Sequence, residues 1–374
     1  MNSRIKRIFG PLLLVVLVLG VGAAIFFSVR EQLTLRRVVT VRGLIGSEKE
    51  DFFKDPQVVE VLRQGGLEVH VEKAGSRQIA TSYDLSEYDF AFPAGVPAAE
   101  KMRREQSGSK SYDVFFTPMA IASWRPIAQL LEANGIAQDQ GGYYTLDIAR
   151  LLEVIEEGKR WSELGDNTAY SVNKSILVTS TDVRKSNSAA MYLALASFVA
   201  NDNNIVQSEA EVNRVMPLME SLFLKQGYVE YSSAVPFENY LIMGMGKTPM
   251  VMIYEAQFIA ATTNGSTTPE MVLMYPEPTI FSKHILVSFS EGGEWLGKLL
   301  RNDPELQNDP KLQKAGADLQ RLAIEHGFRN DDVAYFREFV GRHTLAMPEI
   351  IVNVVEPPSY EVLEGMIQQI EQQY

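Results

Sequence analysis

The chain has 374 residues, 46% of them hydrophobic and 22% charged, which suffices for two domains or one large one. It contains no cysteine, and this excludes a disulfide framework, a thiolate nucleophile, a cysteine zinc site and a lipid-modified N-terminal cysteine. Residues 1–37 hold six basic side chains and one acid, net +5, so with a formal total of −12 residues 38–374 carry −17, a charge that argues against a nucleic-acid partner.

Residues 11–29 form an uncharged run of 19 behind Arg4, Lys6 and Arg7, the length of a helix that spans a bilayer core. Gly22-Ala23-Ala24 also offers a small-residue cleavage site of a signal peptide. The uncleaved anchor is favoured, because Ile25, Phe26 and Phe27 continue the apolar run past that site. The basic N-terminus stays cytoplasmic, with Arg30, Arg36 and Arg37 weakening the asymmetry, and in either reading the rest of the chain is exported.

Beyond the anchor, residues 38–45 are a β-branched run ended by Gly46-Ser47, and residues 48–64 carry apolar side chains at helical spacing. Gly65-Gly66 stops that helix, and residues 67–71 alternate as a second strand, a βαβ unit that predicts a parallel sheet with ligand loops at the carboxyl ends of its strands. A third strand at 88–92 leads through Pro93 to Pro97 into a helix from Ala98, and 112–122 reads as a long strand that runs on into Ser123-Trp124-Arg125-Pro126, suited to cross between lobes. Residues 127–161 read as two helices around Gly141-Gly142, and 174–179 as a strand. Helices follow at 189–200 and 209–226, strands at 250–254, 271–275 and 284–289, and mostly helix after Gly292. Alternating strands and helices without a long linker predict α/β architecture with interleaved rather than serial lobes.

Strand ends followed by small hydroxyl residues that open a helix recur at Gly46-Ser47-Glu48, Gly75-Ser76-Arg77 and Ser186-Asn187-Ser188. Helix N-termini leave N–H groups unpaired and carry partial positive charge, so several converging on a cleft can hold an anionic or polar ligand, although such residues also serve as plain helix caps. Tyr254-Glu255, at the end of a strand, pairs an aromatic ring with a carboxylate and suits a cationic amine; Glu255 equally suits a partner such as Arg184. Met243-Gly244-Met245-Gly246-Lys247-Thr248 fails the phosphate-loop spacing at Leu241 and reads as a turn. His70, His284, His326 and His343 show no metal-ligand spacing, and no motif of nucleophilic or paired-carboxylate catalysis stands in a supporting context, so no catalytic residue, metal or cofactor is assigned.

The sequence resembles the type II periplasmic solute-binding proteins of ABC transporters. The resemblance rests on residues 41–47, on Ala74-Gly75-Ser76, on residues 181–188, on Tyr254-Glu255 and on Leu273-Met274-Tyr275-Pro276. It implies a two-lobed α/β fold, with residues 38–121 and 276–374 in one lobe and 122–275 in the other, behind the transmembrane helix within 1–37. It further implies a small-molecule ligand in the cleft and a permease as partner, and closure on binding. The candidate contacts are Ser47, Ser76, Arg77, Ser123, Ser186, Asn187, Ser188, Tyr254 and Glu255. Helix N-termini and Arg77 favour an anion, whereas Glu255 and the acidic surface favour a cation or zwitterion. The anchor departs from the usual family pattern and leaves a second function open, a ligand-sensing or scaffold subunit of a membrane complex.

Overall fold

A computed structural model describes residues 38–226 and 234–374. The apolar run at 11–29 lies outside the described residues, among which no helix is long and apolar enough to cross a membrane. The described strands are β1 (Val39–Ile45), β2 (Leu67–Lys73), β3 (Phe90–Phe92), β4 (Lys110–Trp124), β5 (Ala137–Asp139), β6 (Tyr144–Asp147), β7 (Met250–Tyr254), β8 (Met271–Glu277), β9 (Thr279–Ser288) and β10 (Val354–Val355). They hydrogen-bond in the order β2-β1-β3-β9-β4-β8-β6-β5, with β7 added on β4 and β10 on β9.

At the start of the chain β1 runs parallel to β3 with Gly43 opposite Phe90 and Ile45 opposite Phe92, but β9 pairs antiparallel with β3 and β4, so the sheet is mixed rather than parallel as expected. Gly43 is needed there, since a methyl group in its place would lie 2.3 Å from the Phe90 ring. The long strand β4 joins two halves of the sheet. From Lys110 to Pro118 it pairs antiparallel with β9. From Met119 onward it pairs with β7 on one side and β8 on the other. The change of partner falls at Pro118, whose missing N–H suits the point where one ladder stops and another begins.

Each half has its own apolar core. Val41, Phe52, Phe90, Phe92, Leu296 and Leu319 pack on the β1–β3 half. Ile121, Leu131, Leu151, Tyr192, Leu195 and Met219 belong to a larger cluster on the other half, together with Leu363, Met366, Ile367 and Ile370 of the C-terminal helix Tyr360–Glu371. Full burial of side chains of this size contributes about 1.5–3 kcal/mol each.

Three further expectations need correction. The helix read over 48–64 is broken, because Asp55 caps a new helix, Pro56–Gln64, through its side chain and Pro56 is its first residue. The segment around Gly141-Gly142 is not a helix junction but the turn of the hairpin β5–β6, with both glycines at positive φ. Residues 174–179 make only isolated bridges, Ser175 to Arg160 and Thr179 to Val251, and do not form a regular strand.

Candidate functional site

β1, β2 and β7 each deliver the chain to a helical turn, Ser47–Lys49, Ser76–Ser82 and Glu255–Thr263 respectively. The helix Asn187–Ala200 starts beside the first two. Between these ends lies a cavity of about 220 Å³ lined by residues 46–48 and 73–76 with Gln78, Ser186, Asn187 and Tyr254. An adjoining cavity of about 250 Å³ shares Ser47 and Glu48 and extends toward the helices Ala234–Met243 and Glu255–Thr263. The structure thus brings together five of the nine candidate residues, Ser47, Ser76, Ser186, Asn187 and Tyr254.

The hydroxyls here are not used as helix caps. Gly46 and Gly75 occupy the capping positions in extended conformation, and Ser186, which stands at a cap, makes no capping hydrogen bond. The Ser186 hydroxyl instead meets Ser188 Oγ at 2.9 Å, and Ser188 meets Thr181 Oγ1 at 2.9 Å. Ser76 Oγ accepts from the Ala94 N–H at 3.0 Å, tying the second strand end to the turn after β3.

Asn187 is the hub. Its amide nitrogen donates to the Ala94 carbonyl at 2.7 Å and reaches Tyr254 Oη at 3.2 Å and Ser282 Oγ at 3.4 Å. A methyl group on Gly95 would fall 2.3 Å from Asn187 Oδ1, so glycine is required for this approach. Similarly, a methyl group on Gly75 would fall 2.1 Å from the Lys185 carbonyl oxygen. Burial, and next the charge of Glu48, push the Tyr254 phenol well above its ordinary range, so it stays protonated.

Glu48, which the candidate set omitted, forms the acidic wall of the cavity. Behind it the fully buried Lys49 ammonium contacts the Glu48 carboxylate, meets His284 Nδ1 at 2.9 Å and lies 4.9 Å from the centre of the Phe92 ring. Burial lowers the Lys49 pKa against the opposing pull of Glu48. Burial, reinforced by the Lys49 charge, holds His284 well below the usual histidine range. Neutral His284 therefore accepts at Nδ1 from Lys49, and its Nε2 has no hydrogen-bond partner among the described residues. The sequence carried a weak signal for Glu48, which stands in the Gly46-Ser47-Glu48 motif. For Lys49 and His284, 235 positions apart, it carried none.

The other four candidates do not line this cavity. Arg77, the next residue after Ser76, turns outward to a bidentate pair with Glu364 at 2.6 and 2.9 Å and donates to the Arg184 carbonyl at 2.9 Å. Ser123 is buried within β4 and donates to the Pro249 carbonyl at 2.9 Å. Ser188 is consumed in the hydroxyl chain already described. Glu255 is fully buried in a bidentate pair with Arg329, both contacts at 2.7 Å, and accepts from the Tyr275 hydroxyl. Arg184, the suggested alternative partner, is instead held by Asp182.

No protein-family model matches the sequence, and neither does any curated protein. Solved structures are similar in fold. The sulfate-binding protein SubI from Mycobacterium tuberculosis superposes with a TM-score of 0.50 at 15% identity, covering 90% of this chain and 99% of its own. A periplasmic thiamin-binding protein superposes with a TM-score of 0.53 at 10% identity, covering 89% of this chain and 95% of its own. The chain has the type II periplasmic solute-binding fold.

Proposed function

We propose that this protein is an extracytoplasmic solute-binding module, held to the membrane by residues 11–29, that captures a small polar or charged molecule in the cavity between the ends of β1, β2 and β7. The observation that carries this reading is the convergence of Ser47, Glu48, Ser76, Ser186, Asn187 and Tyr254 on one cavity at the carboxyl ends of strands. The two lobes would be 38–121 with 276–374, and 122–275, the C-terminal helix clasping the second. Asn187 would then join them through Ala94 and Ser282, so that ligand contacts to both sides stabilise the closed arrangement. An ABC-type permease is the partner this arrangement serves, and no catalytic step is assigned.

The two structural neighbours are named for different ligands, so ligand class has to be read from this chain's own lining. That lining offers hydroxyls and an amide together with the Glu48 carboxylate, while Lys73 is held by Glu50 at 2.6 Å. It fits a ligand that both donates and accepts hydrogen bonds. The apolar run at 11–29 supports a second reading, a membrane-held sensor or scaffold subunit without transport. Recovery with membranes supports the anchor in both readings, and a soluble form beginning near Ile25 refutes it.

A thermal-shift screen of small anions, amino acids and amines tests the binding role, because one-site binding adds about 2.7 kcal/mol of stability at a ligand concentration 100 times Kd. A hit whose shift is lost in Asn187→Ala supports the cavity. A hit whose shift is unchanged in both Asn187→Ala and Tyr254→Phe places the ligand elsewhere and overturns the reading.

A further inference from the structure

The turn that failed the phosphate-loop spacing opens onto a separate cavity of about 410 Å³, which shares no lining residue with the two cavities above. Its size falls in the range of roughly 300–1,000 Å³ usual for small-molecule sites. It lies where residues 174–180 run beside β7, between the end of the helix Glu209–Leu224 and the helix Ala234–Met243. That last helix separates it from the cleft, with Pro236 and Asn239 turned to this cavity and Phe237, Glu238 and Leu241 to the other side.

Lys174, Lys225 and Lys247 line the cavity, and among the described residues no carboxylate does. Lys174 donates to the Gly246 carbonyl at 3.3 Å. Lys225 and Lys247 have no acidic partner among the described residues. This is unusual in a chain that carries −17 over residues 38–374 and neutralises Lys54, Lys73, Lys101, Lys110 and Lys298 with nearby glutamates. Three like charges around one concavity repel one another until an anion enters. A second observation points the same way. Ser180 lines the cavity with only 2% of its surface exposed, yet its hydroxyl has no hydrogen-bond partner among the described residues. Its backbone N–H is already taken by Gln226 Oε1 at 2.7 Å, so the hydroxyl is the donor left for a ligand.

We propose that this cavity binds a small multivalent oxyanion, a phosphate ester or a polycarboxylate, independently of the cleft. Its oxygens accept from the lysine ammonium groups and from the Ser180 hydroxyl, and Leu177 and Pro236 face its carbon skeleton.

The test titrates the purified full-length chain with citrate and with pyrophosphate at constant ionic strength in buffer stripped of metal ions beforehand, following heat of binding and thermal midpoint. Saturable binding by citrate alone supports a polycarboxylate, by pyrophosphate alone a phosphate ester, and by both the shared oxyanion chemistry. In each case Lys225→Gln with Lys247→Gln should weaken binding about tenfold or more, Lys225→Arg with Lys247→Arg should largely retain it, and Asn187→Ala should leave it unchanged. No saturable binding of either anion at millimolar concentration overturns the proposal. So does binding that survives the double glutamine variant, or binding that is lost in Asn187→Ala instead.

Discussion

Replacing Glu255 by Gln separates a structural carboxylate from a ligand-binding one. Glu255 opens the helix after β7 and holds Arg329 through two 2.7 Å contacts. Arg329 in turn donates to the Pro348 carbonyl at 2.8 Å and the Glu349 carbonyl at 3.1 Å, and its guanidinium lies 4.3 Å from the centre of the Phe336 ring. Its backbone exchanges two 2.8 Å hydrogen bonds with Phe116 of β4. The pair therefore pins the 328–349 segment to the centre of the sheet. Glutamine keeps the shape and loses the charge, leaving a buried guanidinium uncompensated, a loss that costs about 3–5 kcal/mol.

Against a total stability of ~5–15 kcal/mol this is a large fraction, equivalent for a chain of this length to a fall of roughly 4–7 °C in Tm. Urea unfolding followed by circular dichroism measures it from the shift in midpoint at constant m. Replacing both partners by apolar residues, Glu255→Leu with Arg329→Met, should recover most of the loss, because the desolvation of both charges disappears together. Affinity for a cleft ligand should stay within about twofold in Glu255→Gln, since neither Glu255 nor its partners Arg329 and Tyr275 line either cavity of the cleft. Full stability with weakened ligand binding would refute this account and return Glu255 to the ligand, as its place beside Tyr254 in the sequence suggests.

Gly75→Ala should act as a wedge. Its methyl group meets a backbone oxygen at 2.1 Å that no rotamer can clear, so cleft affinity should fall at least about tenfold for an overpacking cost of ~1–3 kcal/mol, whereas Gly341→Ala, whose methyl meets nothing, serves as the unchanged control. Equal affinities in the two variants would refute the close approach of Gly75 and Lys185. His284 and Lys49 both have lowered pKa values, so the unfolded chain binds more protons than the folded one and stability falls with acid. For His284 the loss begins as pH drops through its ordinary 6.5, with a slope of up to about 1.4 kcal/mol per pH unit. Unfolding measured between pH 5 and 6.5, above most carboxylate titration, should be flatter in His284→Gln, and identical slopes would refute the assignment.

The features legible in the sequence were those whose signal is local. A β-branched run closed by glycine marked β1, alternation after Gly65-Gly66 marked β2, and the long apolar stretch through Pro118 marked the strand that changes partner. The break at Asp55-Pro56 was local too, and the helical spacing of the flanking apolar residues hid it. Residues 174–179 have strand composition but make only isolated bridges, and composition does not report how far a ladder extends. Partners distant in sequence were not legible: Glu255 and Arg329 stand 74 positions apart, and Arg77 and Glu364 stand 287 apart.

The candidate site shows a finer limit, set by direction rather than position. At the end of a strand successive side chains leave on opposite faces, and on a helix they are turned by about 100°. Tyr254 lines the cavity and Glu255 does not; it goes instead to Arg329. Ser76 lines it while Arg77 turns out to Glu364, and Asn187 lines it while Ser188 is buried beside Thr181. In each motif the sequence marks the correct strand or helix end, but how many neighbours face the cavity differs: Ser47 with Glu48 and Ser186 with Asn187 both line it, whereas Arg77, Ser188 and Glu255 do not. The adjacent carboxylate and aromatic ring of Glu255 and Tyr254 therefore do not act together on one ligand, because the carboxylate is spent on Arg329. Glu48 and Tyr254 do meet around this cavity, and they come from different strand ends.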